Sequence, residues 1–348
     1  MRSIHVTASR EYDVLIERGL LERAGEEIAR VLPKARRAVI VCGERVPKLY
    51  AERLAASLRR AGVEPAEFCY PGGEQCKTLE TYGTLLRFAA AEKLSRSDVI
   101  VALGGGVTGD LVGFAAATYQ RGIPFVQIPT TLLAAVDSSI GGKTAIDLGE
   151  TKNIVGAFWQ PKVVLVDFDT LKTLPRRQIV NGLAEALKTG IIGDPQLFAL
   201  FECEHPEENI EQIVYRSLKF KKKIVEQDER EGSVRACLNF GHTIGHGIEA
   251  VRGVRGRRTT GLYHGECVAL GMLPMIEDNA LLKRTRAIYR TLGLPTRTGA
   301  NKEKVLAYMQ HDKKARGDSI TIIKCPGLGC WRADKLPMTE LPTFLGID

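Results

Sequence analysis

DVIVALGGGVTGDLVGFAAATYQ, residues 98–120, opens on a continuous apolar run that suits a strand buried on both faces and closes on an apolar helical pattern. Between them Gly104, Gly106 and Gly109 spell GxGxxG in the strand-to-helix setting that brings backbone against a pyrophosphate at a helix N-terminus. The acid usually found about 20 residues further on, which holds an adenosine ribose, is missing here because the position falls in QIPTT. The pattern is therefore not the standard dinucleotide fingerprint, and Glu44, after an earlier strand, or Glu74 in GGEQCK is the alternative ribose contact.

Outward from this stretch, toward the N-terminus, lie an alternating run at Tyr12–Glu17, a helix near Leu20–Leu32, a strand at Ala38–Cys42, a helix over Lys48–Ala61, a strand near Phe68 and a helix over Leu79–Lys93. Toward the C-terminus, PFVQIPTT and KVVLVD are further strands ending at Thr131 and Asp167. Strands alternating with helices predict an α/β domain over residues 1–175. From about Arg176 to Lys314 helical periods take over, which predicts a mainly helical second domain over 176–348. VRGVRGRRTTG, from Val251 to Gly261, reads as a basic surface loop.

A chain of 348 residues suits about two domains, and 44% hydrophobic with 26% charged residues is ordinary folded composition. Eight cysteines without a CxxC read as reduced thiols, which favours the cytoplasm. The N-terminus is charged where a signal peptide is apolar, and no uncharged run approaches the roughly 20 residues that span a bilayer, so secretion and membrane insertion are not expected. A net charge of +8 attracts anions, either nucleic acid or a phosphorylated or carboxylated small molecule. No aromatic-interleaved basic motif or zinc knuckle accompanies the charge, so no nucleic-acid partner is expected.

Several constellations carry chemistry. VDSSIGGKTAID places Asp137 and Lys143 around a Ser/Gly turn, and Lys152 with Asn153 follows on a second Gly-bearing stretch, an arrangement suited to phosphate unless the lysines are simply solvated. Asp137 lies in an apolar segment and needs a partner, which Lys143 or a substrate hydroxyl would supply. Glu185 and Lys188 share one helix face, either as a weak surface pair or, given apolar neighbours, as part of a buried site. His242 and His246 stand at i and i+4, with His264 close behind, and this cluster points to a metal. Lys221, Arg235 and Asn239 offer cationic and amide donors for a carboxylate, although Lys221–Lys223 alone also fits a solvated helix face.

Taken together, GGEQCKT (72–78), GGGVTGDLVGFAAATYQRG (104–122), IPTTLLAAVDSSIGGKTAID (128–147), KNIVGAF, LKTLPRR, GLAEALKTG, LNFGHTIGHGIEA, HGECVALGM and DKK resemble the 3-dehydroquinate synthase family of sugar phosphate cyclases, collinearly over nearly the whole chain. The resemblance implies an α/β NAD-binding domain followed by a helical metal-binding domain, with the active site in the cleft between them. It implies conversion of 3-deoxy-D-arabino-heptulosonate 7-phosphate to 3-dehydroquinate and phosphate, through transient NAD oxidation at C5, β-elimination, re-reduction, ring opening and an intramolecular aldol step. By motif, Glu185, His242 and His264 would ligate Zn2+ or Co2+, leaving His246 off the metal despite its spacing. Lys152, Asn153, His246 and Lys313 or Lys314 would contact the phosphate; Asp137 and Lys188 the ring hydroxyls; Lys143 both cofactor and substrate; and Lys221, Arg235 and Asn239 the carboxylate. Arg121 would reach across a homodimer to the neighbour's phosphate. NAD contacts would come from Glu44, Gly73, Glu74, Lys77, Gly105, Gly106, Val107, Thr108, Gly109, Asp110, Thr130, Thr131, Lys143, Lys152, Thr170, Leu171, Lys172 and Thr173.

Two neighbouring activities compete with this reading. A sister cyclase making another cyclitol acts on substrates without the carboxylate, and Arg235 with Asn239 argues against it. A metal-dependent polyol dehydrogenase of related fold would release NADH.

Overall fold

The computed structural model describes residues 1–149, 151–252, 261–313 and 318–345, with 311–313 described through their backbone alone. Most of the basic stretch expected as a surface loop, and Lys314, lie outside the described residues. The chain divides into two compact units, Met1–Pro175 with Lys221–Glu229, and Arg176–Phe220 with Arg230–Asp348.

The first unit is built on a seven-stranded sheet. Its strands are β1 (Arg2–Val6), β2 (Tyr12–Ile16), β3 (Arg37–Gly43), β4 (Glu64–Tyr70), β5 (Val99–Gly104), β6 (Phe125–Pro129) and, after a hairpin of β7 (Lys143–Leu148) and β8 (Thr151–Phe158), β9 (Val163–Val166). The spatial order is β1-β2-β9-β6-β5-β3-β4, with β1 antiparallel to β2 and every other pairing parallel. Side chains of successive strand residues point to opposite faces, and both faces are covered. Ile40, Val101, Val126 and Leu165 pack with Ile28 of α1 (Ala24–Val31) and with Leu54 and Leu58 of α2 (Lys48–Arg60). Val39, Val41, Ile100 and Phe125 pack with Leu85 of α3 (Leu79–Ala91) and with Leu111, Val112 and Ala115 of α4 (Gly106–Thr118). This two-sided burial is why these strands read as unbroken apolar runs.

The winding reverses within the sheet. β3 leads through α2 to β4 on one side, whereas β5, its neighbour, leads through α4 to β6 on the other. The carboxyl ends of β3 and β5 thus flank a topological switch point, where open α/β sheets bind their ligands. The glycines after β5 serve close approach, and none of Gly104, Gly105, Gly106 or Gly109 has a positive φ. A Cβ on Gly109 would come 2.6 Å from Gln127 Oε1, and one on Gly113 would come 2.2 Å from Thr144 Cγ2, so α4 lies where only glycine fits.

VDSSIGGKTAID and KNIVGAF correct the sequence expectation. Instead of Gly-rich turns they form the β7–β8 hairpin, so Lys143, Lys152 and Asn153 sit on strands, and Asp137 lies in the short turn Ala134–Ser138 before it. β8 alternates exposed and half-buried residues, with Ile154 and Phe158 among the exposed apolar ones, a weak pattern for a strand.

The second unit contains α5 (Arg176–Ile192), α6 (Pro195–Ala199), the first part of α7 (Ile210–Gln227), α8 (His242–Arg252), α9 (His264–Met272), α10 (Asn279–Leu292), α11 (Lys302–Lys313) and a hairpin of β10 (Ser319–Lys324) and β11 (Arg332–Pro337) that the helical reading missed. α5 is buried from Val180 through Ile192 and packs on α9, which packs on α8. A continuous helical domain from residue 176 was expected, but Lys221–Glu229 returns to the first unit. There Glu226 accepts from the Thr7 amide at 2.7 Å and Glu229 from the Ser9 amide at 2.7 Å, which satisfies the turn between β1 and β2.

Candidate active site

In the first unit most of the residues expected to hold the dinucleotide follow the carboxyl ends of the parallel strands, while Lys143 and Lys152 lie on the β7–β8 hairpin. Glu44 follows β3 and is exposed, its amide donating to the Tyr70 carbonyl at 2.9 Å. Gly73, Glu74 and Lys77 follow β4; Gly105 through Asp110 follow β5; Thr130 and Thr131 follow β6; and Thr170 through Thr173 follow β9. Gly105 caps α4 with no side-chain hydrogen bond, and the first turn holds no acid, so the amides there face outward as an anion-binding end does. The Thr108 hydroxyl is tied to Tyr70 at 2.9 Å, and the Thr173 hydroxyl to Tyr50 at 3.0 Å. The donor set fits a dinucleotide.

Beside it lies a charged cluster. Lys77, 3% exposed, places its ammonium against both Asp110 and the Asn153 side-chain oxygen. Burial lowers the Lys77 pKa, but the Asp110 and Glu74 carboxylates outweigh it and raise the group above its ordinary value, so the ammonium stays charged. Lys152 stands 3.5 Å from Glu74. Asn153 adopts φ 53°, held by its amide donating to Asp147 at 2.9 Å. Asp137 has a partner in Lys221, whose ammonium lies 2.7 Å from its carboxylate and donates to its carbonyl at 2.6 Å. Lys221 is 7% exposed, so this lysine does not belong to a solvated helix face. Lys143 is exposed.

The second unit assembles the metal constellation from three helices. The ring nitrogens of His242 and His246 on α8 and of His264 at the start of α9 lie within 4.8 Å of one another. Glu185 on α5 turns its Oε1 toward the Nε2 atoms of His242 and His264, at 3.6 and 3.4 Å. The Lys188 ammonium is 2.6 Å from Oε2. Glu185 is 1% exposed, and neither carboxylate oxygen accepts an aligned hydrogen bond. Oε2 has the Lys188 ammonium beside it, whereas Oε1 faces only imidazole nitrogens, and a buried carboxylate oxygen in that position is costly unless a cation meets it. Nδ1 of His242 meets the Phe240 carbonyl at 3.2 Å and Nδ1 of His264 meets Glu249 at 3.2 Å, contacts of the kind that fix a ligating imidazole and aim its other nitrogen.

Electrostatics follow this packing. Burial pushes Glu185 upward, but Lys188 and the two imidazoles hold it well below the ordinary carboxylate range. His242 is lowered to about 3 by burial and by Lys188, so it is neutral and able to ligate. His264, against burial, is raised to about 10 by Glu185 and Glu249, so it carries a proton in the ion-free chain and releases it on ligating a cation. An anion and two oriented imidazoles converging on one point fit a divalent cation of the zinc or cobalt type.

Of the remaining expected residues, Arg235 (2% exposed) and Asn239 lie in the helical turn Val234–Asn239, where Asn239 donates to Glu231 at 2.9 Å. Lys313 ends α11. Arg121 is exposed at φ 66°, next to Gln120 at φ 50°. Sequence reasoning passed over Glu249, although it lies three residues after His246 on the same helix and carries a signal of its own. Asp147, Arg177, Asn181 and Glu266 gave no comparable signal.

Residues 67–181 match the family described as 3-dehydroquinate synthase N-terminal, and residues 182–315 match 3-dehydroquinate synthase C-terminal. The chain belongs to the 3-dehydroquinate synthase family. It is 42% identical to a 3-dehydroquinate synthase of Streptococcus suis over 97% of each chain. Among solved structures it resembles 2-deoxy-scyllo-inosose synthase complexed with carbaglucose-6-phosphate, NAD+ and Co2+, with 25% identity, 99% of both chains covered and a TM-score of 0.87. It likewise resembles 2-epi-5-epi-valiolone synthase of Streptomyces hygroscopicus with NAD+ and Zn2+ bound, with 28% identity, 99% and 98% covered and a TM-score of 0.85. No helix among the described residues is long and apolar enough to cross a membrane.

Proposed function

We infer that the chain is the enzyme of its family's reaction, converting 3-deoxy-D-arabino-heptulosonate 7-phosphate to 3-dehydroquinate and phosphate as a phosphate-eliminating carbon–oxygen lyase, with NAD+ and a divalent cation as cofactors. The observation that carries this is the buried Glu185 carboxylate facing two oriented imidazoles. When bound, the cation would supply Lewis acidity toward the substrate's C5 hydroxyl, and NAD+ would supply a reversible hydride acceptor for C5.

Glu185, His242 and His264 hold the cation, and Lys188 with Asp137 binds ring hydroxyls. Lys152, Asn153, His246 and a lysine of DKK, Lys313 or Lys314, hold the phosphate. The leaving phosphate itself accepts the C6 proton, so the chain needs no separate base for the elimination. Arg235, Asn239 and Lys221 anchor the carboxylate, and Lys143 serves cofactor and substrate. Fixing both charged ends of one ring supplies the positioning that an elimination and an aldol closure require. The +8 charge suits a substrate carrying a carboxylate and a phosphate. The active form is a homodimer in which Arg121 serves the neighbour's phosphate.

Redox neutrality tests the reading. With the heptulosonate phosphate and catalytic NAD+, phosphate appears continuously while absorbance at 340 nm stays at baseline, and chelator stops both binding of the cation and turnover. One NADH accumulating per substrate consumed would instead identify a polyol dehydrogenase.

A further inference from the structure

α5 carries Arg177, Asn181, Glu185 and Lys188 at intervals of four, four and three residues, the spacing that lines up one face of a helix. Glu185 and Lys188 belong to the candidate metal centre. Arg177 and Asn181 instead hold the first turn of α9, the helix that begins with His264. The Arg177 guanidinium makes a two-point pair with Glu266, Nε to Oε1 at 2.5 Å and Nη2 to Oε2 at 2.7 Å. Oε2 of Glu266 also accepts from the Tyr263 amide at 2.8 Å, which satisfies the amide that precedes the first turn of α9. The Asn181 side chain accepts from the Gly265 amide at 2.7 Å. A Cβ on Gly265 would come 2.1 Å from the Asn181 carbonyl, so the two backbones touch there.

The residues on both sides of His264 are therefore fastened to the helix that carries Glu185. Glu249 sets the rotation of the His264 ring, while the α5 contacts set where its backbone stands. A cap alone would need neither a second helix nor a guanidinium fork.

We propose that Arg177 and Asn181 are positioning residues for the metal ligand His264, with α5 fixing the separation between that imidazole and Glu185. The proposal rests on the ligand reading above. Its test is zinc affinity of the full-length protein, stripped and reloaded against a chromophoric chelator, together with the visible spectrum of the cobalt-loaded form. Arg177→Ala weakens zinc binding about 10- to 100-fold and shifts the cobalt bands. Arg177→Lys, which keeps the charge and loses the fork, weakens it less. The control is Arg284→Ala, which removes an equally two-pointed pair with Glu202, at 2.7 and 2.9 Å, elsewhere in the same unit, and leaves zinc affinity and spectrum unchanged. If the unsubstituted protein binds no zinc or cobalt, the ligand reading falls and the positioning role with it. If it binds them and Arg177→Ala or, should that variant not fold, Arg177→Lys binds as tightly with an unshifted spectrum, the positioning role alone is overturned. An equal loss in Arg284→Ala overturns it too, because the effect is then general.

Discussion

Glu185 and Lys188 form an ion pair whose two side chains are 1% and 2% exposed. Taking two charges out of water costs more than a single pairing returns, so such a pair is poor evidence for stability and better evidence for use. The charges are also unequal in their surroundings, since Glu185 faces two imidazoles as well as the ammonium. Glu185→Gln keeps the shape, loses the anion and leaves Lys188 buried without that carboxylate. It is expected to abolish stoichiometric zinc and to lower stability by about 3 to 5 kcal/mol. Adding Lys188→Met is expected to restore most of the stability and none of the zinc. Urea unfolding and metal analysis of the two variants separate these effects. Zinc retained by Glu185→Gln would show that the cation is held without this carboxylate.

The start of the central sheet depends on one carboxylate. Asp98 precedes β5, and its two oxygens accept from the Arg36 and Arg37 amides at 2.9 Å each and from the Ser95 amide and hydroxyl at 2.7 Å each, tying β5 to the entry of β3. Burial works against ionisation here, but these donors hold the Asp98 carboxyl below its ordinary value. A depressed carboxyl stabilises the fold above its unfolded pKa, about 4, and the contribution disappears as pH falls through the lower folded value. Asp98→Asn is expected to cost about 1 to 3 kcal/mol at pH 7. Denaturant unfolding checks this, with the gap to the unsubstituted chain narrowing below about pH 4; a gap independent of pH would assign the loss to shape instead. Elements buried on both faces, such as β3 and β5, were legible because their apolar runs leave no other place for them. The β7–β8 hairpin was hidden by glycines and an exposed face, and the Lys221–Asp137 pair by an 84-residue separation that no local pattern reports. His242, His246 and His264 declared a metal through spacing. What ordered them, Glu249 at Nδ1 of His264 and the Phe240 carbonyl at Nδ1 of His242, belongs to the packed structure.

At the scale of the whole molecule the question is how many chains make one site. Arg121 and Gln120 are consecutive non-glycine residues at positive φ, followed by Gly122 at φ 115°, whose missing Cβ leaves room for the Trp159 ring. Two such residues in a row turn the chain sharply, and neither is the glycine or asparagine that adopts positive φ at least cost. The turn is anchored by Gln120 donating to the Leu94 carbonyl at 2.7 Å, while Arg121 is left exposed. A guanidinium presented in this way suits bidentate contact with a phosphate of a neighbouring chain, which lysine cannot reproduce. The expected outcome is complementation. Arg121→Ala and His242→Ala chains, each nearly inactive alone, are mixed under conditions that exchange subunits. In a mixed dimer one site carries both defects, while the other receives its metal ligands from the Arg121→Ala chain and its arginine from the neighbour. Activity then rises to as much as about a quarter of the unsubstituted level if half the dimers are mixed and the sites work independently. Arg121→Lys in place of Arg121→Ala should give chains that remain weak alone, because the charge survives and the fork does not. If exchange is demonstrated by mass and activity stays flat, Arg121 acts within its own chain or outside catalysis.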